Sequence, residues 1–203
     1  MSQTKAELVN GLSVNAALAD AATIDSSGNV GIGTTSPSSF DNSADDLVIS
    51  TSGNTGITIN SGSAGSTSEG NLVFAEGTAG SADKFRGAIQ YKHGEDRFSF
   101  YTNASERMRI DLSGFVGIGE SSPSSYDSGA RTLVISQGGT LAGMTIRASQ
   151  QGAIYFADGT SSNESYRGRI EYIHADDALR FGTAATERMR IDSAGRLLIN
   201  RTS

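Results

Sequence analysis

Apolar and polar residues alternate with period two in a series of short segments, which is the pattern of half-buried β-strands. The string Glu106-Arg107-Met108-Arg109-Ile110-Asp111 puts Met108 and Ile110 on one face and Arg107, Arg109 and Asp111 on the other. Asp111 followed three residues later by Gly114 suits a type I turn closed by a left-handed residue. Val116-Gly117-Ile118-Gly119 then returns, so the pattern predicts a hairpin. Its glycines alternate with its apolar residues, leaving one face bare of side chains. That face suits a second backbone at close range, as in chains packed around a symmetry axis.

The same reading applied to the longest strand places Phe85, Gly87, Ile89, Tyr91 and His93 together on an inward face. Tyr166, Gly168, Ile170, Tyr172 and His174 share the equivalent face, while Ala88 against Arg169 and Lys92 against Ile173 mark the outer one. Phe98 and Phe100 correspond to Leu179 and Phe181 as an inward pair on the next strand. About six short strands per module follow from this pattern, and no long helix. Residues 5–12 alone have the character of a short helix or docking segment.

These correspondences exist because the chain contains itself twice. IDSSGNVGIG at Ile24 recurs as IDLSGFVGIG at Ile110, and each copy runs on into Ser-Pro-Ser-Ser followed by Phe40 or Tyr126. A shortened third start, IDSAGRLLI, begins at Ile191, and ERMR precedes both Ile110 and Ile191. Between these marks Leu47-Val48-Ile49-Ser50 answers to Leu133-Val134-Ile135-Ser136, and Gly56-Ile57-Thr58-Ile59 to Gly143-Met144-Thr145-Ile146. The repeat divides the chain into a leader (1–23), two β-modules (24–109 and 110–190) and a partial third repeat (191–203).

Composition sharpens the picture. The 203 residues include 25 glycines, 2 prolines and no tryptophan, so large core residues are scarce and tight turns plentiful. A chain this light in core residues is expected to share its core with copies of itself. A net charge of −6 argues against nucleic-acid binding, which needs a basic stripe. No stretch approaches the roughly 18–20 apolar residues of a membrane-spanning helix. The first ten residues hold one lysine and no apolar run, which predicts no secretory signal and synthesis and folding in a cytoplasm. With no cysteine, disulfide and thiolate chemistry are excluded.

The string ERMRID-x-S-G-x-VGIG-x-x-SPSS, read from Glu106 to Ser125 and in partial form at residues 24–39 and 187–199, resembles the repeat of tail-fibre and related virion-fibre proteins of tailed phages. The resemblance extends loosely over residues 24–203. It implies an all-β, elongated homotrimeric fibre of serial antiparallel β-modules, carried on the virion after assembly in the host cytoplasm. It implies a structural role in length, stiffness and host attachment, in a tail, neck or head fibre. The leader, which lies outside the repeats, is the expected contact with other virion proteins. Many such fibres end in an endosialidase-type intramolecular chaperone, and nothing in this sequence resembles one.

No catalytic, cofactor or metal residue is expected. His93 and His174 occupy equivalent places that a trimer would triple, but no second histidine or cysteine sits near either, so strand-end histidines with ordinary hydrogen bonds are the plainer reading. Asp45-Asp46 and Asp176-Asp177 lack the alternating ligand spacing of a calcium loop. Gly31-Ile32-Gly33 is not followed by the spacing of a phosphate loop. Glu76 and Asp158, and Glu95 and Asp176, are repeat-equivalent acids that nothing pairs into the two-carboxylate site of a polysaccharide-cleaving tailspike. The rival function is a receptor-binding module engaging host surface glycans, with Phe40, Tyr101, Tyr126 and Tyr155 as candidate stacking residues.

Overall fold

A computed structural model describes residues 22–62, 67–139 and 141–200. The leader's proposed helix at 5–12 and most of the leader lie outside the described residues. The regular structure of the described chain is β-sheet, apart from short 3-10 turns and one short α-helix. Two compact units divide between Phe98 and Ser99.

In the first unit, β1 (Ala22–Ile24) pairs antiparallel with β2 (Val30–Ile32), and β3 (Leu47–Ile49) adds to β2 in parallel. β4 (Glu69–Phe74) pairs antiparallel with β5 (Gly87–Lys92) over six residues. The link between them holds α1 (Ser81–Lys84), whose first turn is capped by Asp83 accepting the Gly80 N–H at 3.1 Å. β6 (Arg97–Thr102) carries the chain into the second unit.

That unit opens with β7 (Ser105–Ile110), antiparallel to β8 (Val116–Ile118), and β9 (Leu133–Ile135) again adds in parallel. It continues as an antiparallel meander: β10 (Gln151–Phe156), β11 (Gly168–Ile173), β12 (Ala178–Thr183), β13 (Thr186–Ile191) and β14 (Leu197–Ile199). β14 comes from the partial third repeat.

The turn that opens each repeat is the one its residues predict, and it occurs three times. The backbone N–H of Gly28, Gly114 and Gly195 donates to the carbonyl of Asp25, Asp111 and Asp192 at 3.2, 2.8 and 2.8 Å. Each of these glycines has a positive φ, between +76° and +95°. The aspartate carboxylate accepts two further backbone N–H groups, so the turn's donors are satisfied from within.

Two expectations are corrected. The modules are not antiparallel throughout, since β2–β3 and β8–β9 are parallel pairs. Residues 33–46 and 119–132 exceed the length of about a dozen that a parallel crossover needs. Each crossover passes through a 3-10 turn, Pro37–Ser39 or Pro123–Ser125, whose proline is fully buried.

The bare glycine face is not open to a partner either. A Cβ on Gly31 would meet the Thr34 carbonyl oxygen at 2.4 Å, and one on Gly117 the Glu120 carbonyl oxygen at 2.2 Å. The close approach is real, but the approaching backbone is the chain's own crossover, folded back over the strand.

Candidate assembly faces

The two sides of each sheet differ sharply in how well the single chain closes them. On the side of the meander bearing Ala153, Glu171, Ala178 and Gly182 the centre of the face is closed, with Glu171 only 7% exposed and Ala178 1%, while Tyr155 at its edge is half exposed. Arg169 pairs with Glu171 at 3.0 Å and runs across Gly182, where any Cβ would sit within about 3 Å of its guanidinium. A bulge at Arg188 turns Glu187 onto this face, because Phe181 aligns with Met189 while Gly182 aligns with Glu187. Glu187 there accepts two hydrogen bonds from Arg190, at 2.5 and 2.8 Å, and faces Arg180 at 3.4 Å. The Arg190 guanidinium holds the Glu187 carboxyl below the usual glutamate range, against the raising effect of burial.

The first repeat builds the same side from different residues. Gln90, also buried, donates to Glu69 at 3.0 Å and to Asn71 at 2.9 Å across β4 and β5. At the equivalent positions Gln151 donates to Glu171 at 2.8 Å, so amide and carboxylate have exchanged strands while the contact persists. Arg109 grips Glu106 at 2.5 and 2.9 Å as Arg190 grips Glu187, and Ser99 supplies a further donor to Glu106 at 3.2 Å.

The opposite sides carry the large apolar residues and stay open. Ile154 and Phe156 on β10 are 40% and 59% exposed, and Ile170, Tyr172 and Ile191 continue the face at 36–40%. In the first unit Leu72, Phe74, Ile89 and Phe98 form the matching face, likewise exposed. The pattern's inward and outward sides are therefore reversed in the single chain: the Ile89/Tyr91 and Ile170/Tyr172 side is open, and the Ala88/Gln90 and Arg169/Glu171 side is closed. Phe98 and Leu179 flank that open side rather than a closed core. The physical reason is that long arginine, glutamate and glutamine stems cover a pleated surface while pairing with one another, whereas the apolar side is crossed by a single segment only. Among the described hydrophobic residues only Val48, Ala88, Val134 and Ala178 are buried.

One element crosses each open face. Ile59 and Ile146 pass over the glycines Gly70 and Gly152, their Cγ2 atoms 3.5 Å from where a Cβ would stand. Between these segments and the sheets lie apolar cavities of about 380 Å³ (Ile57, Leu72, Ile89, Tyr91, Phe98) and about 250 Å³ (Met144, Ile154, Ile170, Tyr172, Leu179).

The candidate chemical residues are scattered and mostly paired. His93 shares a 3.1 Å hydrogen bond with the Ser61 hydroxyl and meets Tyr91 edge-on at 5.1 Å; His174 meets Tyr172 in the same way. Tyr91 donates to Asp96 and Tyr172 to Asp177, and each carboxylate pushes the phenol's pKa up. Glu76 pairs with Arg86 at 2.7 Å and Asp158 with Arg167 at 3.3 Å, while Glu95 pairs with Lys92 and Arg97, and Asp176 with Arg180. Asp45 accepts from the Asn29 amide at 3.0 Å, and the Asp46 carbonyl from the Val30 N–H at 2.9 Å. Gly31-Ile32-Gly33 ends β2.

Of the aromatics, Phe40 belongs to the first unit, and Tyr101, Tyr126 and Tyr155 to the second. Tyr126 donates to Glu120 at 2.8 Å, and Tyr155 lies 6.3 Å from Tyr166. What the linear pattern missed is the polar network at Glu69, Gln90, Gln151 and Glu171. Its signal was the reciprocal exchange of Glu and Gln between the two copies. No protein-family model and no curated protein matches this chain.

Proposed function

We propose that this chain is a structural fibre subunit of a tailed-phage virion, working as a homotrimer that supplies length, stiffness and host attachment and performs no chemistry. The observation that carries the reading is the open apolar side of the sheets, present in both repeats and backed by a closed polar side. A folded module cannot leave residues such as Phe74, Phe156 and Ile170 in water without a large loss of stability, so another surface covers them. The partner that fits every repeat alike is another copy of the same repeat, and closed symmetry then gives a rod of stacked modules. The ERMRID-SG-VGIG-SPSS resemblance supplies the virion setting, with the leader as its attachment to other virion proteins.

The test is light scattering on the purified full chain, paired with negative-stain microscopy. A mass three times that of one chain, in elongated particles, is the expected result. A folded monomer, or a compact globular oligomer, refutes the proposal.

A further inference from the structure

The segments at residues 56–60 and 143–147 alternate apolar with polar residues and belong to no helix, turn or sheet of the single chain. Their sequences have strand character: Ile57 and Ile59, or Met144 and Ile146, face the sheet, with Gly56 and Thr58, or Gly143 and Thr145, between them. None of their backbone N–H or C=O groups takes part in the hydrogen bonds of the described residues. A run of unpaired backbone groups whose alternate residues face the sheet is a template for another strand.

Resting on the fibre reading, we infer that these two segments pair backbone to backbone with the equivalent segments of neighbouring copies, and so form the interchain strands of the assembly. Three features commit the occupant to a second copy of this chain. Residues 53–62 carry no charged side chain and residues 143–147 carry one, Arg147 at the end of the segment, so identical segments meet with less like-charge repulsion than β7 and β13, which hold two arginines each, would suffer. Space above Gly56 and Gly143 is empty to 4 Å, so their own chain does not fill it as the crossover fills the space above Gly31 and Gly117, and a foreign backbone can approach there. The arrangement is the same in both repeats, as a self-assembling rod requires and a single hetero-partner does not.

Hydrogen–deuterium exchange on the assembled full chain reads this directly. Amides of residues 56–60 and 143–147 are expected to be protected at least a hundredfold over free peptide rates, and Thr58→Pro with Thr145→Pro, which deletes two of the donors, should shift the oligomer towards monomer. Because the protein has no cysteine, Thr58→Cys provides a background-free second test: mild oxidation should yield chains crosslinked in pairs. An intact trimer whose amides at 56–60 and 143–147 exchange freely, and whose Thr58→Cys form does not crosslink, overturns the inference but leaves the fibre reading standing. A monomer overturns both.

Discussion

Gly117→Ala tests the idea that the glycines of β8 serve their own chain. An alanine Cβ there would stand 2.2 Å from the Glu120 carbonyl oxygen and 3.2 Å from its carbon. The closest usual carbon–oxygen contacts are about 3.3 Å, so the crossover must retreat by roughly 1 Å. The crossover is anchored by the fully buried Pro123, three residues beyond Glu120, and at its far end by the β8–β9 ladder, so it has little room to move. Overpacking of this kind costs about 1–3 kcal/mol, offset by about 0.5–1 kcal/mol because alanine restricts the unfolded chain more than glycine. The net destabilisation is about 1–2 kcal/mol, or about 2–8 °C in Tm for a chain of this size. Gly77→Ala is the control, because no atom lies within 4 Å of its Cβ position and its φ is not left-handed; it should be neutral or stabilise by up to about 1 kcal/mol. Thermal unfolding followed by circular dichroism compares the two. If Gly117→Ala melts at or above the control, the close approach is not what the glycine is for.

Three further outcomes follow from the same structure. Gln90→Glu would set two carboxylates face to face at Glu69, in a repeat where Ala88 stands in place of the compensating Arg169; urea unfolding should show a loss of about 1–3 kcal/mol, largely restored by adding Glu69→Gln. The turn between β12 and β13 holds Ala184 and Ala185 at φ +51° and +59°, a conformation that costs non-glycine residues about 1–2 kcal/mol each, so Ala184→Asn with Ala185→Gly should raise Tm by several degrees. Glu187 has its folded pKa depressed by Arg190, so its contribution is complete above the unfolded value of about 4.3 and disappears as pH falls through the lower folded value. Tm should therefore stay level on acidification until about pH 4 and then drop, and Glu187→Gln should flatten that drop.

The strands and the repeat-opening turn were legible because each depends on residues a few positions apart: Asp111 and Gly114 fix a turn, and alternation fixes a strand. The choice of closed face was not legible, because it depends on what lies above the sheet. Period-two reasoning assumes that the apolar side is inward, and it assigned Ile170 and Tyr172 accordingly. In one chain only the segment at residues 144–146 crosses that side, while on the other Arg169 pairs with Glu171, Gln151 with Glu171, and Glu187 with Arg190. Only the exchange of Glu69–Gln90 for Gln151–Glu171 hinted that this polar side was a packed surface rather than a wet one. The glycine face was not legible for a related reason. Gly117 does meet a backbone, but alternation cannot distinguish a backbone three residues along the same chain from that of another molecule. The parallel β8–β9 pair, created by the intervening crossover, was equally invisible in a strand-by-strand reading.

On the proposed assembly, the two sides of the sheets act at different stages. Hydrogen bonds and ion pairs on the polar side are internal to one chain and specify its register: a one-residue slip would separate Gln151 from Glu171 and Arg180 from Glu187. They contribute little net stability, because paired groups mostly replace lost hydration. Burying the rest of a half-exposed Ile, Leu or Phe is worth about 1 kcal/mol, and roughly ten such positions on the open sides give about 10 kcal/mol per chain. That is comparable to the entire stability of an ordinary domain, about 5–15 kcal/mol. A single copy thus holds the information for its strand pairing but lacks the burial that would make the pairing durable. If copies associate as proposed, folding and association should be one transition, with a Tm that rises with chain concentration.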